Sequence, residues 1–244
     1  MAQRALKKLV FFTGAGMSAE SGLPTFRGVG GLWDSIDAEA VADRKSWYSG
    51  RRPDCRERRQ AMLDFFNPVR RMIIDGSPNS GHKSVAAFER DYDVTVITQN
   101  GDDYHERAGS SDVIHLHGEA LRNASTLHPY KPLEIDMHNP DIHIGDRAED
   151  GSQIRPYVIF FNEDIDAGLW HRAVQATRRA DIFVVIGSTM LVYPAAGLLG
   201  ELRAGCPVYV IDPADVRLPD GLDIDFFHLR LPATEGLAEL KKIL

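Results

Sequence analysis

Short runs that are apolar on successive residues recur along this chain, and they constrain its fold more than any other feature. They are Leu9 to Thr13, Val94 to Thr98, Val113 to Leu116, Val158 to Phe161, Ile182 to Ile186 and Val208 to Ile211. Several lack the alternation of a half-exposed strand, so both of their faces must be covered. Between them lie stretches of helical character: Arg56 to Phe66, stopped near Pro68, then Val69 to Ile74, ended by Gly76. Others are His82 to Arg90, Ala167 to Arg179, Ala195 to Ala204 and Glu235 to Leu244. Strands alternating with helices predict an α/β fold with a Rossmann-type, doubly wound parallel sheet. A chain of 244 residues suits one such domain, spanning 1–244, rather than two full ones.

Two stretches break the rhythm. Residues 28–50 are loop-rich, suit a mobile segment over a ligand, and open a cofactor-loop and helical module over 28–80. Residues 118–156 hold Asn, Pro, Asp and Gly with little periodicity and read as a small irregular insert. A formal net charge of −7 argues against a nucleic-acid partner, which needs a basic face. The runs Arg51-Arg52, Arg56 to Arg59 and Arg70-Arg71 are interleaved with Asp54, Glu57 and Asp64, as on a solvated helix face. The two cysteines, Cys55 and Cys206, support neither a disulfide framework nor a CxxC site. The first apolar run is too short for a signal-peptide core or a membrane span. The expectation is a cytoplasmic monomer with no membrane partner.

The first run leads into Thr13-Gly14-Ala15-Gly16-Met17-Ser18-Ala19, a GxGxxA spacing. Such glycines let a backbone turn sharply and approach a pyrophosphate at a helix start, although any glycine-rich strand-to-helix turn gives the same string. The acidic ribose ligand usual about 20 residues on would be Asp34 or Asp37, but residues 28–50 hold no convincing second strand to carry it.

The longer string is more specific. Gly14 to Arg27, GAGMSAESGLPTFR, resembles the opening motif of the sirtuins. Thr98 to His105 resembles their TQNxDxxH, His115-Leu116-His117-Gly118 their LHG, and Gly187-Ser188-Thr189, followed by Val192-Tyr193-Pro194-Ala195, their GTS segment. The resemblance covers residues 9–212 in the family's order. It implies an NAD-dependent protein-lysine deacylase that takes an acyl-lysine protein or peptide and releases nicotinamide and 2′-O-acyl-ADP-ribose.

On that resemblance Gly14, Ala15 and Gly16 cradle the pyrophosphate of NAD and Ser18 packs beside the ribose. Phe26 shields the reacting carbon from water, and Arg27 holds the phosphate or ribose side. Gln99 bonds the ribose, Asn100 positions a water or a ribose hydroxyl, and Asp102 meets the carboxamide. His117 is the general base, because imidazole titrates near neutrality; His82, His105 and His115 are read as structural. Gly187, Ser188, Thr189 and Asp212 complete the cofactor contacts. Ile159, Phe161, Asn162 and Glu163 form the substrate strand and loop, where recognition is largely strand addition.

The chain also departs from the family. Most sirtuins carry four cysteines after LHG for structural zinc; residues 118–156 have none, and His128, His138 and His143 lack ligand spacing, so no metal is expected. Residues 145–153 resemble short zinc-free bacterial sirtuins. Asn162 stands for a glycine, Gly101 for an apolar residue of the nicotinamide pocket, Tyr104 for a leucine-like residue, and Ser188-Thr189 reverses the usual order. Where sirtuins that prefer acidic acyl groups have a Tyr-x-x-Arg pair, this chain has Phe66 and Val69, which implies neutral acyl groups, acetyl first. NAD hydrolysis, ADP-ribosyl transfer and non-catalytic NAD or ADP-ribose binding remain open alternatives for the same pocket.

Overall fold

The computed structural model describes residues 5–25, 41–48, 54–190, 192–217, 221–222 and 224–244. In chain order the elements are β1 (Lys8–Thr13), α1 (Gly16–Ala19), α2 (Arg44–Trp47), α3 (Cys55–Asp75), α4 (Ser80–Ala87), β2 (Asp93–Thr98), α5 (Tyr104–Ala108) and β3 (Val113–His115). They continue as β4 (Gly118–Ser125), β5 (Ile154–Val158), α6 (Ala167–Arg179), β6 (Ile182–Ile186), β7 (Val208–Ile211), β8 (Phe226–Leu229) and α7 (Ala233–Ile243).

Six strands form one sheet in the order β3-β2-β1-β6-β7-β8, every pairing parallel. β1 is central, with Leu9 opposite both Val94 and Ile182. Its continuous apolar run follows from that position. Leu9 and Phe11 pack into a layer with Val85, Leu237 and Leu240 from α4 and α7. Val10 and Phe12 pack into the opposite layer with Ala173 of α6 and Leu198 and Leu199 of the 3₁₀ turn Ala195–Glu201. The strand order reverses between β1 and β6, so a crevice opens at their carboxyl ends, the point at which doubly wound sheets bind ligands.

Four sequence expectations change. The helices expected on either side of Pro68 are one helix, α3. Pro68 and Asp64, whose carbonyl loses its donor, lie on the exposed face, while Met62, Leu63, Phe65, Arg70 and Ile73 bury the other. Packing along that face overrides the local break. Of the run expected as a strand over Val158 to Phe161, only Val158 lies in β5, which pairs antiparallel with β4, and residues 159–161 belong to the loop that follows. The stretch 118–156 therefore contains a two-stranded sheet, hidden in the sequence because β4 is polar and its pairing with β5 is interrupted between Glu119 and Asn123. Edge strand β8 was also not anticipated, and the helix expected over Ala195 to Ala204 is the shorter 3₁₀ turn.

The small sheet is held to α3 and α2 by side chains. Asn67 donates to the carbonyl of Ile142 at 2.9 Å and accepts from its N–H at 3.1 Å. Arg71 grips Asp141, and Trp47 Nε1 donates to Thr126 Oγ1 at 2.9 Å above a core of Met62, Leu63, Ile142 and Phe160. Among the described residues no group of three His, Cys, Asp or Glu is placed to hold a metal, so this module does not fit the family's zinc. None of the described helices is long and apolar enough to cross a membrane.

Candidate active site

The turn after β1 and the turn after β6 meet at the crevice backbone to backbone. Gly14 N–H donates to the Ile186 carbonyl at 2.9 Å, and Gly16 N–H to the Gly187 carbonyl at 3.0 Å. A Cβ on Gly14 would lie 2.5 Å from the Gly187 oxygen, and one on Gly16 would lie 2.6 Å from the Gly187 Cα. Gly187 itself has a φ of 57°. These glycines are required by one another before any ligand is considered.

The turn after β2 fills the crevice with polar groups. Gln99 Nε2 donates across it to Ser188 Oγ at 2.9 Å. Asn100 Nδ2 donates to the Gly14 carbonyl at 3.0 Å and to Ser18 Oγ at 3.2 Å. Ser18 Oγ in turn donates to Asp102 Oδ2 at 2.8 Å, and Tyr104 N–H donates to Asp102 Oδ1 at 3.2 Å. Ser18, Asn100 and Asp102 are all buried, and burial raises the Asp102 carboxyl above its ordinary value while Ser18 and the Tyr104 amide pull it back. Asn100 Oδ1 is buried without a donor among the described residues. An orphaned amide oxygen costs about 1–3 kcal/mol, so the arrangement fits a ligand that brings an N–H or O–H to this spot.

Four imidazoles surround this turn in different states. His117 Nδ1 faces the Gln99 carbonyl at 3.3 Å, and since a carbonyl only accepts, Nδ1 carries the proton and Nε2 keeps its lone pair. Burial pushes His117 below its ordinary value, so it is neutral at pH 7. His115 faces acceptors at both nitrogens, the Asn100 carbonyl at 2.9 Å and Glu106 Oε1 at 2.8 Å. Burial opposes its charge most strongly, but Glu106, the Asn100 carbonyl and Glu119 together outweigh burial and raise it. His82 caps α4, its Nδ1 accepting from Asn79 N–H at 3.2 Å, and burial lowers it to about 4. His105, beside His82, is pushed far down by burial and by His82. His117 thus combines partial exposure with an available lone pair.

Residues 14–194 match the model of the Sir2 family. The chain belongs to the Sir2 family. It is 44% identical over 243 residues to an NAD-dependent protein deacylase of Bacteroides thetaiotaomicron, covering 98% of each chain. A mutant Sir2 homologue in complex with ADP ribose superposes with a TM-score of 0.81 at 32% identity, over 96% of this chain and 90% of that one. A Sir2 complex with an inhibitor, 2′-O-acetyl-ADP-ribose and a deacetylated p53 peptide gives 0.75 at 26% identity, over 98% and 94%.

Sir2 membership draws attention to the loop after β5. Ile159 N–H donates to the His117 carbonyl at 2.9 Å, which sets this loop beside His117. Phe161 is a parallel bridge partner of Asp43, donating to the Ala42 carbonyl at 2.7 Å and accepting from Arg44 N–H at 2.9 Å. Asn162 has a φ of 63°, the left-handed conformation that asparagine tolerates best after glycine. Its amide donates to Asp43, whose other oxygen caps α2 at Lys45 N–H. The Glu163 carboxylate is turned inward onto Arg155, at 2.6 and 2.8 Å, and accepts from Phe160 N–H at 2.9 Å. Glu163 therefore shapes the loop from beneath. Asp43 and Arg155 were not anticipated; no spacing in the sequence pairs them with this loop.

The remaining positions divide. Ser188 is buried and Thr189 exposed at the turn after β6. One Asp212 oxygen caps Ala214 N–H at 2.9 Å at the end of β7, and burial raises its carboxyl. Gly101 leaves no gap toward β4, because a Cβ there would meet the Ala120 nitrogen at 3.2 Å. The Phe66 ring lies 5.9 Å from that of Phe160, and Val69 packs near Ile73, Tyr104 and Ala120. Phe26, Arg27, Asp34 and Asp37 lie outside the described residues.

Proposed function

We propose that this chain is an NAD-dependent protein-lysine deacylase, with acetyl-lysine as the preferred substrate and free lysine, nicotinamide and 2′-O-acyl-ADP-ribose as products. The neutral His117 beside the buried Asn100–Ser18–Asp102 network carries this reading. NAD supplies the glycosidic bond whose cleavage drives acyl transfer. Gly14, Ala15 and Gly16 hold the diphosphate; Gln99, Ser188, Thr189 and Asp212 contact the adenosine and ribose side. Asp102 orients the carboxamide, Asn100 offers Oδ1 to a ribose hydroxyl or a water, and His117 Nε2 removes a hydroxyl proton as the acyl group migrates. Ile159, Phe161 and Asn162 present the loop on which the peptide lies, with Glu163 fixing it.

Phe66 and Val69 bring neither a cation nor a hydrogen-bond donor to an acyl carboxylate, which is why neutral acyl groups are proposed. The chain is taken to act as a cytoplasmic monomer on protein, not on nucleic acid. Mass analysis of NAD products, with and without an acetyl-lysine peptide, tests the reading. Nicotinamide release should require the peptide and fall by about a hundredfold or more in His117→Tyr, within the range for losing a general base. Release that ignores the peptide would instead identify an NAD hydrolase. Faster turnover of a succinyl than an acetyl peptide would overturn the acyl preference.

A further inference from the structure

We infer that Arg70 is a positioning residue for the Asn100–Asp102 turn, acting through Ala120 of β4. Arg70 is 1% exposed, yet its hydrogen-bond partners in the small module are carbonyls. Nε donates to Ala120 at 2.7 Å, Nη2 to Arg122 at 3.1 Å, and Nη1 to Pro140. The β4–β5 pairing is interrupted between Glu119 and Asn123, so the carbonyls of Ala120 and Arg122 fall in the stretch where the ladder breaks. The guanidinium fork satisfies both at once, which a point-like ammonium cannot do. Burial lowers Arg70 to about 10, so it is charged at neutral pH. A buried cation of this kind persists where fixed dipoles hold it, and it holds those dipoles in return.

Ala120 is the bridge to the chemistry. Its N–H donates to the Gly101 carbonyl at 2.7 Å, and Gly101 lies between Asn100 and Asp102. The contact has little slack, since a Cβ on Gly101 would sit 3.2 Å from the Ala120 nitrogen and 3.4 Å from its Cβ. One turn further along α3, the Ile73 carbonyl accepts from Tyr104 Oη at 3.2 Å, and just past the helix the Gly76 carbonyl accepts from Arg107 at 2.7 Å. The same helix therefore holds α5, which follows the turn, as well as β4 beside it. Displacing Ala120 would move Asn100 and Asp102 relative to Ser18 and Gly14, whose positions the central sheet sets.

This inference rests on the proposed reading of the turn as the nicotinamide end of the NAD site. The test compares Arg70→Lys, Arg70→Met and Gly101→Ala with the unaltered protein. The measurements are kcat, the KM for acetyl peptide, inhibition by nicotinamide, and ADP-ribose affinity by calorimetry. A displacement near 1 Å can cost up to about a hundredfold, so kcat should fall at least about tenfold and nicotinamide inhibition should weaken several-fold. ADP-ribose affinity and peptide KM should change by no more than about threefold, because ADP-ribose reaches this turn only through a ribose hydroxyl at Asn100 and the peptide lies on the loop after β5. Gly101→Ala crowds the same contact by a few tenths of an ångström with Arg70 intact and should lower kcat and weaken nicotinamide inhibition in the same sense, by a smaller factor, even if Arg70→Met does not fold. Unchanged kcat and nicotinamide inhibition in Arg70→Lys, or all constants moving together, would overturn the role of Arg70. Failure of the unaltered protein to release nicotinamide with peptide would sink the deacylase reading instead.

Discussion

His82, His105, His115 and His117 crowd one neighbourhood and differ because each ring meets different partners. Their linkage to stability has two signs. His82 is held neutral at about 4, below its ordinary 6.5, so the unfolded chain takes up the proton first as pH falls. Its contribution is complete above 6.5 and is lost between 6.5 and about 4, roughly 3 kcal/mol at 1.36 kcal/mol per unit. His105 acts in the same direction. His115 is raised, so its contribution is present below 6.5 and is lost as pH rises through its folded value. Urea midpoints measured from pH 7 to 4 should therefore fall steeply, and less steeply in His82→Asn. An identical slope in the variant would contradict this account. His117 was singled out in the sequence because it is the histidine of the LHG string; imidazole chemistry alone does not separate it from His115 two residues earlier. Asp43 and Arg70 were illegible for a physical reason: Asn162 lies 119 residues from Asp43, and the carbonyls that Arg70 binds lie 50 to 70 residues from it, where no local pattern applies. Arg155 meets Glu163 only eight residues on, but across a loop of no regular spacing.

Among the elements, the glycine turns carry the clearest contrast. Gly16 has no room for a Cβ, because the obstacle is the backbone of Gly187; Gly145 has a φ of 110° but open space around it. Gly16→Ala should cost more than about 3 kcal/mol and abolish ADP-ribose binding. Gly145→Ala should cost only its backbone strain, about 1–2 kcal/mol. Comparing the two by thermal unfolding checks this, and equal losses would show that contact between the turns is not what selects glycine. The apolar strands of the central sheet were readable because burial on both faces leaves unbroken hydrophobic runs. β4, β5 and β8 were not, since they are short, half-polar or at an edge. The continuity of α3 through Pro68 was decided by a buried face, which outweighs one missing donor.

At the scale of the molecule, the small module is secured by a guanidinium, an amide and an indole. Prolonged EDTA treatment should leave the melting temperature within about one degree and deacylation intact, whereas metallo-modules that fold around their ion unfold under chelation. A drop of several degrees would reveal a bound ion that these residues do not account for. The reversal of strand order between β1 and β6 has a further consequence. Gly14 and Ser18, Asn100 and Asp102, His117, and Gly187 come from four separate stretches, and β1 meets β6 through residues as distant as Leu9 and Ile182. The site has no address in any one stretch of the polypeptide. A fragment that stopped before β6 would keep three of its recognisable strings and lose the wall against which the first glycine turn is built.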